Sequence, residues 1–112
     1  MKKISVIVQP AKFENLKKKL TEAGVTGATV SNVEGFGFQK RGIDVLQGQE
    51  TIIELLPKIK FEIVAAEKDV EKITAAVIEA ARTGRIGDGK IFISEISDVI
   101  RIRTGERGEH AV

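Results

Sequence analysis

The sequence contains no cysteine, tryptophan or tyrosine, and its one histidine is His110. The absence of cysteine excludes disulfides, thiol nucleophiles and thiolate metal sites, and a single histidine argues against a histidine-based metal site. The first apolar run, residues 4–8, is interrupted by Ser5 and is too short for a signal-peptide core or a membrane span. We therefore expect a cytoplasmic protein whose chemistry depends on lysine, arginine and carboxylates.

The sequence also has little excess charge of either sign, because 18 basic residues are nearly balanced by 16 acidic ones, for a net charge of +2. A length of 112 residues suits one domain with a real core, so we treat residues 1–112 as a single domain. The basic run Lys17-Lys18-Lys19 falls on the solvent side of a predicted helix and needs no nucleic-acid partner. No binding of nucleic acid is expected from these charges.

A glycine-rich stretch near the C-terminus, residues 83–93, has the character of a phosphate site. Gly87 and Gly89 have no Cβ, so consecutive backbone amides can converge on one anion, and Lys90 adds a positive charge. If a strand begins at Lys90 and residues 101–103 lie on a neighbouring strand, Arg101 and Arg103 project from the same face. The alternative for these two arginines is an ordinary pair on the surface.

Alternating and helical periodicities predict two similar halves, each with a strand, a helix and a strand. Gly24 is expected to cap the first helix. This order is the split βαβ pattern of a ferredoxin-like α+β fold, with an antiparallel sheet and both helices on one face. The predicted elements are strands 3–9, 29–36, 58–64 and 90–103 and helices 12–23 and 70–82.

The connection between the second and third strands, residues 37–54, is far longer than the roughly 2–5 residues of an ordinary hairpin loop. Its mixture of charged and apolar residues fits an arm that docks on a partner through Ile43, Val45 and Leu46. The alternative is a hairpin extension whose apolar residues pack on each other and bind nothing.

Several segments together resemble the PII nitrogen-signalling proteins, and the match spans nearly the whole chain. The longest block lies between residues 83 and 106. The segments are Val33-Glu34-Gly35-Phe36-Gly37, Gln39-Lys40, Leu56-Pro57-Lys58, Ala80-Ala81-Arg82-Thr83-Gly84, Gly87-Asp88-Gly89-Lys90-Ile91-Phe92 and Arg101-Ile102-Arg103-Thr104-Gly105-Glu106.

The resemblance implies a homotrimer that binds ADP or ATP in clefts between subunits and regulates targets through a long T-loop, about residues 37–54. The glycine turn and the two arginines would bind the phosphates, and strand residues would bind the adenine and ribose. Gly35 to Phe38 would approach from the adjacent subunit. Ile7 and Val64 also fit plain core packing. The implied nucleotide residues are Ile7, Thr29, Gly35, Phe36, Gly37, Phe38, Glu62, Ile63, Val64, Gly87, Asp88, Gly89, Lys90, Arg101, Ile102 and Arg103.

Departures from the family pattern concentrate in the loop. Thr51 replaces the tyrosine that many bacterial members uridylylate, and Gln49 replaces the serine that cyanobacterial members phosphorylate. Phe38 stands where typical members have an arginine that reaches the γ-phosphate of ATP, so ADP should bind at least as well as ATP. Gln39 and Lys58, which help the family hold 2-oxoglutarate with magnesium and ATP, are present, and sensing of that effector stays open.

The sequence therefore predicts an adenine-nucleotide-sensing regulator with no catalytic residues and no protein metal site. Its expected target is either a metabolic enzyme or a membrane transporter, such as an ammonium channel or an ABC-type transporter component. We expect the protein to associate with a membrane only indirectly, through such a partner. The alternatives are a conventional PII sensor of 2-oxoglutarate with Mg-ATP, or a small phosphate-cleaving enzyme. A nucleic-acid module would need aromatic residues on the sheet face, and we assign Phe61 and Phe92 to the core.

Overall fold

A computed structural model describes residues 1–36, 38–39, 52–53 and 55–112. Short 3-10 turns, Pro10–Lys12 and Glu67–Asp69, lead into the two helices. The elements within the described residues are β1 (Lys2–Val8), α1 (Phe13–Glu22), β2 (Thr29–Gly35), β3 (Phe38–Gln39), β4 (Ile52–Ile53), β5 (Leu56–Ala65), α2 (Val70–Ala81) and β6 (Gly89–Glu95).

Four of the strands form one antiparallel sheet in the order β2-β5-β1-β6. The sequence order of strand, helix, strand, strand, helix, strand and this spatial order are those of a ferredoxin-like fold, which confirms the predicted fold class. Gly24 ends the first helix with a φ of +92°, and its amide donates to the Thr21 carbonyl. The predicted glycine cap is also confirmed.

The core lies between the sheet and the two helices, because alternate residues of each strand face the helices. Val6 of β1 lies opposite Phe61 of β5 and Ile91 of β6 on this face, whereas Ile7 lies opposite Lys60 and Lys90 on the other. The buried residues are Ile4, Val6, Val8, Leu16, Leu20, Phe61, Ile63, Ala65, Val70, Ile73, Val77, Ala80 and Ala81.

The opposite face of the sheet carries no helix among the described residues, and we call it the open face. Phe92 lies on it next to Lys90 in β6, and 54% of Phe92 is exposed. Our assignment of Phe92 to the core was therefore wrong, whereas Phe61, with 2% exposed, is a core residue as predicted. Alternation explains the difference, since residues 90 and 92 share one face and Ile91 the other.

The last strand ends at Glu95, so the prediction that it continues to residue 103 was wrong. Residues 102–104 form a turn closed by a bridge between Ile100 and Arg107, and the Gly105 amide donates to the Arg101 carbonyl at 2.7 Å. We call residues 98–108 the C-terminal hairpin. Its turn fits Gly105, whose φ of +75° favours glycine. Arg101 and Arg103 consequently do not share a strand face.

The long connection begins and ends in a short hairpin, in which Phe38 pairs with Ile53 and Gln39 pairs with Ile52. Gly37 and the predicted contact residues Ile43, Val45 and Leu46 lie outside the described residues, as do Gln49 and Thr51. Within the described residues, neither helix has the length and apolar character that a bilayer-spanning segment requires.

Candidate functional site

The glycine loop, residues 83–89, connects α2 to β6 and is held together by the carboxylate of Asp88. One carboxylate oxygen accepts hydrogen bonds from the backbone amides of Thr83 (2.7 Å) and Gly84 (2.9 Å), and the other accepts from the Thr83 hydroxyl. The Thr83 hydroxyl and amide and then the Gly84 amide lower the pKa of Asp88, because they stabilise its charged form. Asp88 thus shapes the loop from within, and its carboxylate is not a phosphate ligand.

Two glycines bring the loop backbone against the sheet. Gly87 and Gly89 have φ angles of +102° and +111°, which side chains disfavour. A Cβ on Gly89 would lie 1.8 Å from the Ile7 carbonyl oxygen. The close approach of loop and strand therefore requires glycine at position 89. That these glycines also bind an anion stays a prediction.

The carbonyl of Gly87 accepts hydrogen bonds from two side chains of the sheet. The Gln9 amide donates at 3.0 Å and the Lys58 ammonium at 3.1 Å. Lys58 was predicted to contact an effector, whereas Gln9 was not predicted at all. A polar residue directly after a strand gives no signal in the sequence that distinguishes it from an ordinary connection.

A cavity of about 450 Å³ lies between the glycine loop and the open face, and we call it the loop-side cavity. Phe36 and Phe92 supply apolar wall, and Lys58, Arg85 and Lys90 supply positive charge. Apolar surface beside convergent cations suits a molecule that joins a flat ring to phosphates. The predicted residues that line it are Ile7, Gly35, Phe36, Lys58, Gly87, Asp88, Gly89 and Lys90.

This cavity brings Gly35 and Phe36 together with the glycine loop inside one chain. The approach of these two residues from an adjacent subunit stays a prediction, whereas within one chain they already border the same cavity as the glycine loop. The reason is the register of β2 and β5, which pairs Gly35 with Leu56 and so places the end of β2 beside Lys58. Ile7 is half-buried and lines the cavity, so it is more than a core residue.

A second cavity, of about 480 Å³, lies beside the edge strand β2, at the end of that strand opposite the loop-side cavity, and we call it the edge cavity. Its lining includes three of the predicted nucleotide residues, Thr29, Glu62 and Val64, together with residues 23–28. The side chain of Ile63 is buried in the core, with 2% exposed, so only its backbone is available to a ligand. The predicted nucleotide residues are thus divided between two cavities of one chain.

Glu62 is already paired on the open face. Its carboxylate lies beside the ammonium of Lys3 and 3.7 Å from that of Lys60. The hydrogen bond from Lys3 outweighs partial desolvation and, with Lys60, lowers the pKa of Glu62. Glu62 is therefore charged at neutral pH, and its oxygens can accept hydrogen bonds from hydroxyl groups.

The arginines of the C-terminal hairpin line neither of these cavities. The Arg101 guanidinium donates to the Glu106 carboxylate and to the His110 carbonyl, both at 3.1 Å. Ile102 is fully exposed, and Arg103 is exposed beside it. One chain therefore holds its predicted site residues in three separate places.

A metal site does not accompany these cavities in the part of the chain that the structure describes. There, histidine and acidic residues form no group of three or more that could hold a metal ion.

A family model described as Nitrogen regulatory protein P-II matches residues 1–106. The chain belongs to the P-II family. Proteins of this family form trimers and regulate target proteins, and they are signal transducers, not enzymes. The predicted family and the predicted absence of an enzymatic role are thereby confirmed.

Relatives and solved structures agree with this assignment. The Nitrogen regulatory protein P-II of Pasteurella multocida is 46% identical over 112 residues, and that of Rhizobium meliloti is 47% identical, each over the full length of both chains. The structure of Bacillus subtilis GlnK has a TM-score of 0.84 and 40% identity and covers 99% of this chain and 97% of its own. A GlnK–ATP complex has a TM-score of 0.83, with 40% identity and coverage of 99% and 96%.

Four residues that line the loop-side cavity or anchor the glycine loop of this P-II chain were missed, as were residues 23–28 of the edge cavity; the four are Gln9, Leu56, Arg85 and Phe92. Strand alternation gave a usable signal for Phe92, which shares a face with Lys90. Leu56 opens β5 two residues before Lys58, so the same rule applies once the strand start is known. Arg85 lies within the glycine loop and could have been added to its cations.

Proposed function

We propose that this P-II protein is a homotrimeric sensor of adenine nucleotides that regulates a target protein through its T-loop, residues 37–54. The observation that carries the proposal is the loop-side cavity, where a side-chain-free glycine backbone, two lysines and two phenyl rings meet. The GlnK structure solved as an ATP complex, at 40% identity, supports an adenine nucleotide as the ligand.

The nucleotide would lie with its phosphates against the backbone of Gly87 and Gly89 and the ammonium of Lys90. Amides and a cation at such a turn bind anions without any catalytic group. A base of adenine type has an apolar face that suits Phe92 and Ile7. This arrangement uses only the loop-side cavity of one subunit.

A second subunit supplies the remaining contacts in this proposal. The two cavities lie at opposite ends of β2 and β5: Gly35 and Lys58 line one, whereas Thr29 and Val64, six residues away on the same strands, line the other. Six residues span roughly 20 Å at about 3.3 Å for each residue, so one chain holds the two cavities apart. The edge cavity of a neighbour would bring Thr29, Glu62 and Val64 to the adenosine. The neighbour's hairpin would bring Arg101 and Arg103 to the phosphates.

ADP is expected to bind at least as well as ATP. Phe38 replaces the arginine that typical members direct at the γ-phosphate, and a phenyl ring offers no hydrogen bond to an anion. The loss of one charge-assisted contact corresponds to about 1.5–3 kcal/mol, or roughly ten- to a hundredfold in affinity for ATP. ADP has no γ-phosphate and does not lose this contact.

The second candidate function is conventional sensing of 2-oxoglutarate with magnesium and ATP. Lys58, one of the residues this function needs, lines the loop-side cavity and donates from its ammonium to the Gly87 carbonyl. A dicarboxylate would have to draw Lys58 away from that carbonyl. Gln39, the other residue, pairs with Ile52 at the base of the loop.

The target in this proposal is a membrane transporter such as an ammonium channel, an ABC-type transporter component, or a metabolic enzyme. The T-loop contact would be Ile43, Val45 and Leu46. A ligand at the loop base changes the loop ensemble only if it binds two ensembles with different affinity, and Gly37 to Gln39 adjoin the cavity in sequence. We place the protein in the cytoplasm, where nucleotides and such targets meet.

Calorimetric titration separates the two candidate functions. The purified protein is titrated with ADP, with Mg-ATP, and with 2-oxoglutarate in the presence and absence of Mg-ATP. Tight ADP binding, weaker ATP binding and no heat from 2-oxoglutarate support the adenylate sensor. Binding of 2-oxoglutarate that depends on Mg-ATP supports the conventional sensor, and absence of any nucleotide binding overturns both.

A further inference from the structure

We propose that Gln9 is a positioning residue of the phosphate site, which holds the glycine loop in its binding shape when Lys58 leaves it. The inference rests on the nucleotide-binding function proposed above. Gln9 lies just after β1, where the register pairs Val8 with Gly89 at the start of β6. The sheet itself therefore fixes the position of Gln9 beside the loop.

The glycine loop has separate anchors at its two halves. The Asp88 carboxylate secures the first half through Thr83 and Gly84. Gly87, in the second half, has the positive φ of +102°, and its carbonyl is held by Gln9 and Lys58. A carbonyl oxygen has two lone pairs, so both donors can be satisfied at once.

The orientation of the Gly87 carbonyl also sets the direction of an anion donor. The Gly87–Asp88 peptide is trans, as are all peptide bonds of the described chain, so its carbonyl and its N–H point in opposite directions. A carbonyl drawn toward Gln9 and Lys58 thus turns the Asp88 amide away from them. Gln9 acts on the phosphate through this amide and does not touch the phosphate itself.

The two donors differ in how easily an anionic ligand removes them. Lys58 is charged and lines the loop-side cavity, so a phosphate or carboxylate there competes with the Gly87 carbonyl for its ammonium. The Gln9 amide is neutral and gains less from an anion. Gln9 therefore keeps the carbonyl satisfied, and the loop in shape, while Lys58 changes partners.

The first test compares ADP and adenosine binding by calorimetry in wild type and Gln9→Ala. The variant should bind ADP about three- to tenfold more weakly, the loss of one hydrogen bond, and adenosine with unchanged affinity. Gln9→Met keeps the length and the neutral charge of the side chain but has no donor, so it should lose about as much ADP affinity as Gln9→Ala. Unchanged ADP binding by either variant overturns the inference.

Asn15→Ala is the matched control. Its side-chain amide also donates to a backbone carbonyl at 3.0 Å, that of Ala80, which lies in the last turn of α2, before the glycine loop and not within it. This variant should lower the melting temperature without changing the ratio of ADP to adenosine affinity. A drop in that ratio equal to that of Gln9→Ala would mean that Gln9 acts only through general stability, which also overturns the inference.

A double-mutant cycle with Lys58→Met tests whether the two donors replace each other. Removal of both should weaken ADP binding by more than the product of the two single effects, because the carbonyl then has no side-chain donor. Purely multiplicative effects would contradict the proposal. Wild type that binds no ADP would overturn the proposed function, whereas failure of the Gln9 variants alone would leave that function standing.

Discussion

In the function proposed above, Phe38 is the single residue with the largest expected consequence for ligand choice. Its neighbours in sequence, Phe36 and Gln39, belong to the cavity wall and to the base of the T-loop. By the resemblance, an uncharged residue at this point would leave the third phosphate of ATP with one cation fewer than in typical P-II proteins. The proposed preference for ADP depends on this residue.

Phe38→Arg should raise the affinity for ATP roughly ten- to a hundredfold and leave the affinity for ADP unchanged. The gain would come from a new charge-assisted contact with the γ-phosphate, which ADP lacks. Calorimetric titration of both nucleotides measures it. Phe38→Leu is the control, because it removes the ring without adding a charge, and an ATP affinity that stays the same in Phe38→Arg would refute the preference.

Asp88 acts at the same scale, on loop shape. Its hydrogen bonds with Thr83 and Gly84 lower its folded-state pKa below the unfolded value. Because its pKa is lower in the folded protein than in the unfolded chain, Asp88 contributes stability that is fully present above the unfolded pKa of about 3.9. This contribution is lost as the pH falls through the pKa of the folded protein. The loop is therefore held by a charged carboxylate throughout the neutral range.

Asp88→Asn should lower the melting temperature at pH 7, because an amide group cannot accept on its nitrogen side. The difference from wild type should shrink as the pH falls below about 4, since protonated aspartic acid resembles asparagine. Thermal unfolding of both proteins between pH 7 and pH 3, at one protein concentration, measures this. A difference that does not vary with pH would show that the charge of Asp88 is not what holds the loop.

At the scale of elements, the junction of the glycine loop with β6 is set by one glycine. Gly89 begins the strand with a φ of +111°, and it packs on the Ile7 carbonyl with no room for a Cβ. Gly84, at the other end of the loop, has a φ of +86° but open space around it. A side chain at position 84 would therefore meet only conformational strain, whereas one at position 89 would also clash with the Ile7 carbonyl.

Gly89→Ala should destabilise the protein by about 2 kcal/mol or more and weaken ADP binding, because strand β6 must shift away from β1. Gly84→Ala carries only the strain, about 1–2 kcal/mol, and should keep ADP binding. Chemical denaturation and ADP titration of both variants measure the contrast. Equal effects on ADP binding would mean that the close approach to Ile7 does not matter for the site.

The same elements show how far the sequence predicts this molecule. Alternation and helical spacing found all four strands of the sheet, because a half-buried sheet imposes a period of two. They failed after Glu95, where Ile100 and Ile102 alternate as in a strand, although Ile102 is fully exposed in a turn. Asp98 accepts from the adjacent Val99 amide and from the Gly108 amide, ten residues away, and this second contact closes the hairpin without any periodic pattern in the sequence.

The site was predictable only in part for a similar reason. Glycine and lysine spacing located the loop, since the chemistry of a backbone anion site dictates residue type. Gln9 depends on the register of two strands that are distant in sequence, and its type gives no hint of the Gly87 carbonyl. Cross-strand contacts of this kind follow from the fold and not from any local pattern.

At the scale of the whole molecule, the open face bears on the proposal that two subunits share each nucleotide site. This face carries apolar residues with substantial exposure, such as Phe92 at 54% and Leu56 at 36%, next to charged Lys60 and Glu62. P-II proteins form trimers. Contact between the sheets of neighbouring subunits would cover such a face and bring an edge cavity to each loop-side cavity.

Ser5→Trp should therefore dissociate the trimer and abolish ADP binding together. Ser5 lies in the centre of the open face, between Glu62 of β5 and Phe92 of β6, and its small side chain leaves room for a neighbour. A separate chain can accommodate an indole there, because nothing in the described chain covers this face, whereas packed subunits cannot. Light scattering should show the mass falling from three times 12.2 kDa to 12.2 kDa.

Lys18→Trp, on the exposed side of α1, is the control and should keep both properties. A monomeric Ser5→Trp that still binds ADP with wild-type affinity would show that one subunit suffices, and a site shared between subunits would then have to be abandoned.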